Sequence, residues 1–164
     1  MEPLLDRLRR REPAAFQEVI ARYGPPMQRT VAQLLRDAVE AEDVVQESFA
    51  RLFLNLESIR SLKPWLFQVA VNLARQVLRR RRTPPAPQVA APADPELREI
   101  IDLALQELPD KTRIAFVLRE MGGLTTDEVA AAEGCSVEAV RQRIVDARRR
   151  LREALGPRIR QEVL

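Results

Sequence analysis

TTDEVAAAEGCSVEAVRQRIVDA, residues 125–147, reads as two helices meeting at a tight turn. Thr125 with Glu128 three residues on forms a capping box that starts the first helix. Gly134-Cys135-Ser136 breaks it, because Gly134 takes the left-handed conformation a tight turn demands and Ser136 can cap a long second helix. Ala130 is small enough for the second helix to cross close over the first. Val129, Val137, Val140 and Ile144 are spaced to fill the angle between them. That leaves Glu138, Arg141, Gln142, Val145 and Asp146 facing outward, toward a major groove if the ligand is DNA. Arg148, Arg149, Arg150 and Arg152 follow, and some of them are placed to grip phosphates. The plainer reading is a helical hairpin with a solvated basic face. The cap, the turn glycine and the Arg run together favour DNA. Cys135 fits packing in the turn better than redox sensing.

The same helical period runs outward from this stretch. Upstream, Leu97, Ile100, Ile101, Ala104 and Leu108 mark one amphipathic helix. Ile114, Val117, Leu118 and Met121 mark another, with Asp110 as its expected cap and Gly122-Gly123 as its stop. In the first half, Phe16, Val19, Ile20 and Tyr23 recur at helical spacing, and Pro25-Pro26 is expected to end that helix. Met27, Val31, Leu34 and Leu35 mark the next, and Val44, Val45, Ser48, Phe49, Leu52 and Phe53 a third. Pro64 suits the first turn of a fourth, which carries Trp65, Leu66, Val69, Leu73 and Val77 inward. No segment alternates with period two. The expected fold is all-α, with an N-terminal helical bundle and a C-terminal four-helix domain containing the helix-turn-helix. Between them TPPAPQVAAPAD (83–94) has four Pro and four Ala and no apolar period. It reads as a semi-extended linker, able to span roughly 37 Å at about 3.1 Å per residue, or about eleven base pairs of duplex. The expected divisions are 1–82, a linker over 83–95, and 96–164.

The chain of 164 residues is long enough for two small domains. Its 27 Lys+Arg against 24 Asp+Glu give a net charge of only +3, but that hides segregated blocks. Residues 37–57 hold six acids against Arg51, and residues 94–110 hold six acids against Arg98. Residues 60–82 hold seven bases and no acid, and residues 135–160 hold eight Arg against three acids. Two basic surfaces suit nucleic acid, and at least one acidic surface is left for something else. There is no His, and Cys135 is the one cysteine. An intrachain disulfide, a Cys/His metal site and a His-based nucleophilic mechanism are therefore excluded. No catalytic set, cofactor or metal is expected. No segment reads as a signal peptide and no run of eighteen or more apolar residues exists, so a reducing cytosol is the expected compartment and no membrane span is expected.

Two further stretches carry information. In AEDVVQESFARLF (41–53) one face is apolar and the opposite face carries Glu42, Asp43, Gln46, Glu47 and Arg51. By itself this is an ordinary amphipathic surface helix. In KPWLFQVAVNLARQVLRRRR (63–82), Trp65 reads as a core anchor. Asn72, mid-helix against its propensity, is a plain exposed amide or a reader of a base edge. The four arginines 79–82 read as a phosphate grip or as a solvated helix end.

Taken in order, the three stretches resemble the extracytoplasmic-function group of bacterial sigma factors. AEDVVQESFARLF is similar to region 2.2, WLFQVAVNLARQVLRRRR to regions 2.3 and 2.4, and residues 107–155 to region 4. The resemblance implies core RNA polymerase as a partner, met at its β′ clamp helices by Glu42, Asp43, Gln46, Glu47 and Arg51, and at its β flap. It implies promoter DNA, with Asn72 reading an extruded minus-ten base and Arg60, Lys63, Arg75, Arg79 and Arg80 as strand contacts. Ser136, Glu138, Arg141, Gln142, Val145, Asp146, Arg148 and Arg149 would serve the minus-thirty-five element. It further implies an anti-sigma factor, no small-molecule substrate and no catalysis. The loop 56–64 is shorter than in many members, and Asp146 stands where members often carry a base. A carboxylate there accepts from a cytosine amino group, so an altered minus-thirty-five preference is expected. A stand-alone helix-turn-helix regulator leaves the 41–82 motifs without a job. A sigma mimic that titrates an anti-sigma factor would not need the basic blocks.

Overall fold

The computed structural model describes residues 2–81 and 95–162, with side chains to residue 156. Eight α-helices and one short 3₁₀ turn occur among the described residues, and no strand. The linker expected over 83–95 lies outside the described residues, as does Arg82, except that Pro95 already opens a helix.

The first helix was not expected from the sequence. α1 (Pro3–Arg9) begins with proline at its first position and buries Leu4, Leu5 and Leu8 along one stripe. It is tied down at both ends. Glu2 accepts from the backbone N–H of Leu62 at 2.9 Å, and Arg9 donates to the carbonyls of Leu56 and Ile59. α2 (Pro13–Leu35) corrects the stop expected at Pro25-Pro26, because the helix runs straight through them. Each proline removes one helical N–H. The carbonyls left unpaired belong to Ala21 and Arg22, both exposed, where water can satisfy them. Val19, Met27, Val31 and Leu35 stay fully buried on the opposite side, which rewards an unbroken helix. Ile20, expected inward, is 46% exposed.

α3 (Ala38–Leu54) is capped by Asp37, whose carboxylate accepts from the N–H groups of Val39 and Glu40 at 2.9 and 3.0 Å. It buries Ala41, Val44, Val45, Ser48, Phe49 and Leu52. After the 3₁₀ turn Leu56–Ser58, α4 (Leu62–Arg80) buries Leu62, Leu66, Phe67, Ala70, Val71, Leu73 and Ala74 against α2 and α3.

In the second half come α5 (Pro95–Gln106), α6 (Asp110–Glu120), α7 (Thr126–Glu133) and α8 (Val137–Glu162). Pro109, not Asp110, is the cap of α6, and Asp110 is its first residue, 3.2 Å from Arg113. The capping box of Thr125 and Glu128 is present. Gly134 has φ +64°, as the turn requires, and the Ser136 hydroxyl accepts from the N–H of Ala139 at 3.1 Å. α7 and α8 pack on α6, while α5 packs on α8 around Leu105, Leu108, Ala147, Leu151 and Leu155. The main core does not stop between the halves. One continuous apolar cluster runs from Leu4 to Ile144, with α4 packed on α7 and α2 on α6. Gly122 makes the closest approach. A Cβ there would lie 3.0 Å from the ring of Phe67 in α4 and 2.6 Å from the carbonyl of Leu118.

Candidate nucleic-acid and protein interfaces

Three helix faces carry the charge that the core rejects. On α3, burial of the apolar stripe turns Glu42, Asp43, Gln46, Glu47 and Arg51 outward, and all five are exposed. Their hydrogen bonds stay within the helix, Gln46 to Glu42 at 3.4 Å and Arg51 to Glu47 at 3.1 Å. The face is thus unsheltered and negative. Beside it runs a groove between α3 and α4, floored by Val44, Leu73 and Val77 and rimmed by Glu40, Asp43, Glu47 and Arg80. Arg81, one of the four arginines read as a phosphate grip or a solvated helix end, is neither, because it pairs with Glu40 and donates to the carbonyl of Leu35 at 2.7 Å. That contact ties the end of α4 to α2 and α3.

The candidate minus-ten residues do not form one open face. Asn72, Arg79, Arg80 and Arg60 are exposed. Arg75 and Lys63 are engaged by the other half of the chain. Arg75 donates to Glu133 at 3.0 Å and lies 3.8 Å from Asp110. Lys63 donates to the carbonyl of Gly123 at 2.9 Å and lies 3.4 Å from Glu128.

At the start of α8, Glu138, Arg141, Gln142 and Val145 are exposed and form a shallow open patch with Asp146 and Arg149. Val145 is 64% exposed, unusual for a large apolar side chain in water and suited to a thymine methyl. The Ser136 hydroxyl is spent on its cap. Asp146 turns along the helix instead of outward. Its carboxylate accepts from Arg149 and, at 2.9 Å, from Arg150. The Arg149 hydrogen bond holds the Asp146 carboxyl below the usual carboxylate range, against partial desolvation and with help from Arg150. Arg148 reaches Glu120 at 3.3 Å. Cys135 is half-buried, with Arg143 at 3.3 Å from its Sγ. No cluster of three potential metal ligands occurs among the described residues, and no described helix is long and apolar enough to cross a membrane.

Comparison with known proteins places the chain in a family. The model of sigma-70 region 2 matches residues 19–83, and that of sigma-70 region 4 matches residues 98–151. The ECF RNA polymerase sigma-E factor of Escherichia coli strain K12 is 32% identical, over 96% of this chain and 95% of its own. The chain belongs to the extracytoplasmic-function group of the sigma-70 family. The RNA polymerase sigma-H factor of Pseudomonas aeruginosa is 29% identical, over 98% of this sigma factor and 96% of that protein. Among solved structures, CnrH in complex with the cytosolic domain of CnrY superposes with a TM-score of 0.78 at 26% identity, covering 94% of this chain and 96% of that one. The sigma factor RpoE from Bartonella quintana, in complex with the anti-sigma factor NepR, shares the fold, with a TM-score of 0.73 at 24% identity, covering 86% and 96%. The region 2 match spans both the acidic α3 and the basic α4, the motifs that a stand-alone regulator leaves idle. The residues the sequence missed, Asp37 and Glu2, carry no motif, and the tie made by Arg81 has no signal in the arginine run that contains it. They act through a cap or through partners remote in the chain.

Proposed function

We propose that this sigma factor works in the cytoplasm, without catalysis of its own, as three surfaces on two functional segments, residues 1–82 and 96–164, joined by the linker over 83–95. The α3 face of Glu42, Asp43, Gln46, Glu47 and Arg51 docks on the β′ clamp helices of core RNA polymerase, and the second segment meets the β flap. α4 takes the minus-ten strand. The Asn72 amide reads an extruded base, while Arg60, Lys63, Arg75, Arg79 and Arg80 hold its backbone, so that captured bases offset an unstacking cost of a few kcal/mol. The start of α8 reads the minus-thirty-five element in the major groove through Arg141, Gln142 and Val145, with Ser136, Glu138 and Asp146 beside them. Arg148 and Arg149 sit where phosphates pass. An anti-sigma factor is the expected cytoplasmic antagonist, as the RpoE of Bartonella quintana, which shares this fold, is in complex with the anti-sigma factor NepR.

The observation that carries this reading is the exposed acidic face of α3, whose charges find only local partners. A buried or internally neutralised face would have left nothing for a basic docking surface to meet. The test adds the purified protein to sigma-free core polymerase and looks for initiated transcripts from candidate promoters, including that of its own gene. A sigma factor yields new transcripts; a regulator or a mimic yields none. Asp43→Ala with Gln46→Ala is expected to weaken core binding while leaving duplex binding by α8 intact. Equal core affinity for variant and parent would move the docking face elsewhere.

A further inference from the structure

We propose that the first helix is a positioning device for the minus-ten strand. Glu2 and Arg9 hold the loop over residues 55–61 in one shape, so that Arg60 meets the strand without rearrangement. The inference rests on the reading of Arg60 as a strand contact.

The loop joins α3 to α4 and is held from outside itself. Arg9 donates from one guanidinium to the carbonyl of Leu56, at 3.1 Å, and to that of Ile59. A 3₁₀ turn of three residues leaves such carbonyls without helical partners, and a remote donor supplies one. Glu2 holds the far end. Ser61 stands at the N-cap of α4, but its hydroxyl makes no cap. It donates instead to Glu2 at 3.1 Å. The Glu2 carboxylate also accepts from the N–H of Leu62 at 2.9 Å, one of the N–H groups that a helix start leaves unpaired. Its charge suits the positive end of the α4 dipole. Arg11, in the left-handed turn after α1 at φ +61°, approaches the carbonyl of Phe53 at 3.5 Å. Glu2, Arg9 and Arg11 thus reach both ends and the middle of one loop.

Anchoring and presentation alternate along the loop. Leu56, Ile59 and Leu62 are buried in the core that also holds Leu5 and Leu8 of α1. Glu57, Ser58, Arg60 and Ser61 are exposed. Arg60 therefore sits between two anchored neighbours, Ile59 by its side chain and carbonyl and Ser61 by its hydroxyl. Its backbone is fixed on both sides, and its side chain alone is left to meet a ligand. A loop fixed beforehand loses little freedom when a strand arrives. Released from Arg9 or Glu2, it would visit shapes that misplace Arg60, and apparent affinity would fall with the competent fraction.

The experiment uses holoenzyme isolated from core polymerase and each full-length variant. Fluorescence anisotropy reads its affinity for a labelled single strand of about twenty nucleotides, the non-template minus-ten strand of a promoter on which the holoenzyme initiates. Arg9→Met keeps the stem and removes both donors. It is expected to weaken strand binding by roughly threefold to tenfold, as the competent loop falls to between a third and a tenth of molecules. Because Arg9 acts through Arg60, the double variant Arg9→Met with Arg60→Ala should bind no more weakly than Arg60→Ala alone. Glu2→Ala should repeat both results, and serves if Arg9→Met does not fold. Glu2→Gln can still accept from Leu62 and donate to the Ser61 oxygen, so it should match the parent. Two controls separate positioning from other effects. Arg10→Met removes an equal charge next door, from a side chain 64% exposed, and should change strand affinity far less. Asp37→Ala removes the cap of α3, and should lower the unfolding midpoint while leaving strand affinity at the parent's value. If Arg9→Met behaves like Asp37→Ala, losing stability alone, the role is structural and the proposal is overturned. Losses that add in the double variant, or an equal loss in Arg10→Met, would overturn it too. An unmoved affinity in Arg60→Ala would remove Arg60 from the strand contacts, a failure of the underlying reading that takes the positioning role with it.

Discussion

Arg75 of α4 finds its partner Glu133 58 residues away, whereas Arg149 of α8 finds Asp146 within one helical turn. Both helices are rich in arginine and both are proposed to meet DNA, yet they hold their charge differently. Arg75 of α4 and Arg81, which caps its end, are paired across elements, to α7 and to α3. On α8, Arg141 pairs with Glu138, Arg149 with Asp146 and Glu153, and Arg150 with Asp146, all within the helix, while Arg148 alone of the candidate contacts reaches another element, to Glu120 of α6. A partner supplied by a remote element is gained or lost with tertiary structure. A partner one turn away travels with the helix and cannot cover its face. Availability of the α4 face is thus a property of the whole molecule, and that of the α8 face, Arg148 apart, a property of the helix.

The largest effect that can break this contrast lies in the core under each helix. Phe67 is fully buried beside Gly122, so Phe67→Ala should cost about 3–5 kcal/mol in a denaturant titration. Leu151, 9% exposed in the smaller cluster between α5 and α8, should cost about 2 kcal/mol when truncated to Ala. Equal costs would mean that α8 is anchored as deeply as α4, and the contrast in dependence on the whole molecule would fail. Next comes Arg141→Ala. If the guanidinium forks onto a guanine, binding to a minus-thirty-five duplex should weaken by about 1–3 kcal/mol, read by anisotropy titration. Its midpoint of thermal unfolding should not move, because the side chain is exposed and its partner, Glu138, lies 3.6 Å away on the same helix. A drop in thermal stability would show that α8 is not locally self-sufficient. Thr125→Ala is smaller still. It removes the hydroxyl that accepts from Glu128 N–H at 3.2 Å, and should cost about 1 kcal/mol of stability. Because Glu128 also meets Lys63, hydrogen exchange should rise in α7 before it rises in α8.

What was legible in the sequence followed from short-range rules. The capping box, the left-handed Gly134, the buried stripe of α3 and the outward Glu138, Arg141, Gln142 and Val145 all depend on neighbours within a few residues, and periodicity reports those. Pro25-Pro26 misled for the same reason. The local rule says stop, and burial of Val19, Met27 and Val31 on one continuous face overrode it. α1 leaves no periodic signal in the sequence because seven residues offer too little period to register, although Leu4, Leu5 and Leu8 are all buried. The pairings of Arg75 with Glu133, of Lys63 with Glu128 and of Asp102 with Gln33 leave no local trace at all. Charge blocks showed that acids and bases were segregated, but not that Glu128 and Glu133 of α7 and Asp110 of α6 would pair with Lys63 and Arg75 of α4.

The smallest effect sharpens the contrast from the α8 side. Asp146 is ionised at neutral pH and spends its carboxylate on Arg149 and Arg150. Its carboxyl is held below the ordinary value of 3.8, chiefly by the Arg149 hydrogen bond. The sign follows directly. A depressed folded value means that the pairing contributes fully above the unfolded value and is lost only as pH falls through the folded one. Between about pH 5 and 8 the group does not titrate, so α8 should bind a minus-thirty-five duplex without any pH dependence traceable to Asp146. Asp146→Asn should leave stability at neutral pH almost unmoved, because exposed pairs of this kind contribute little. It frees Arg149 and Arg150 for phosphate, so duplex affinity should rise across all sequences and the slope of log K against log salt should steepen by about one. A change confined to one base position, with the salt slope unaltered, would instead place the Asp146 carboxylate on a base edge. Its pairing along the helix would then be a feature of the free protein alone.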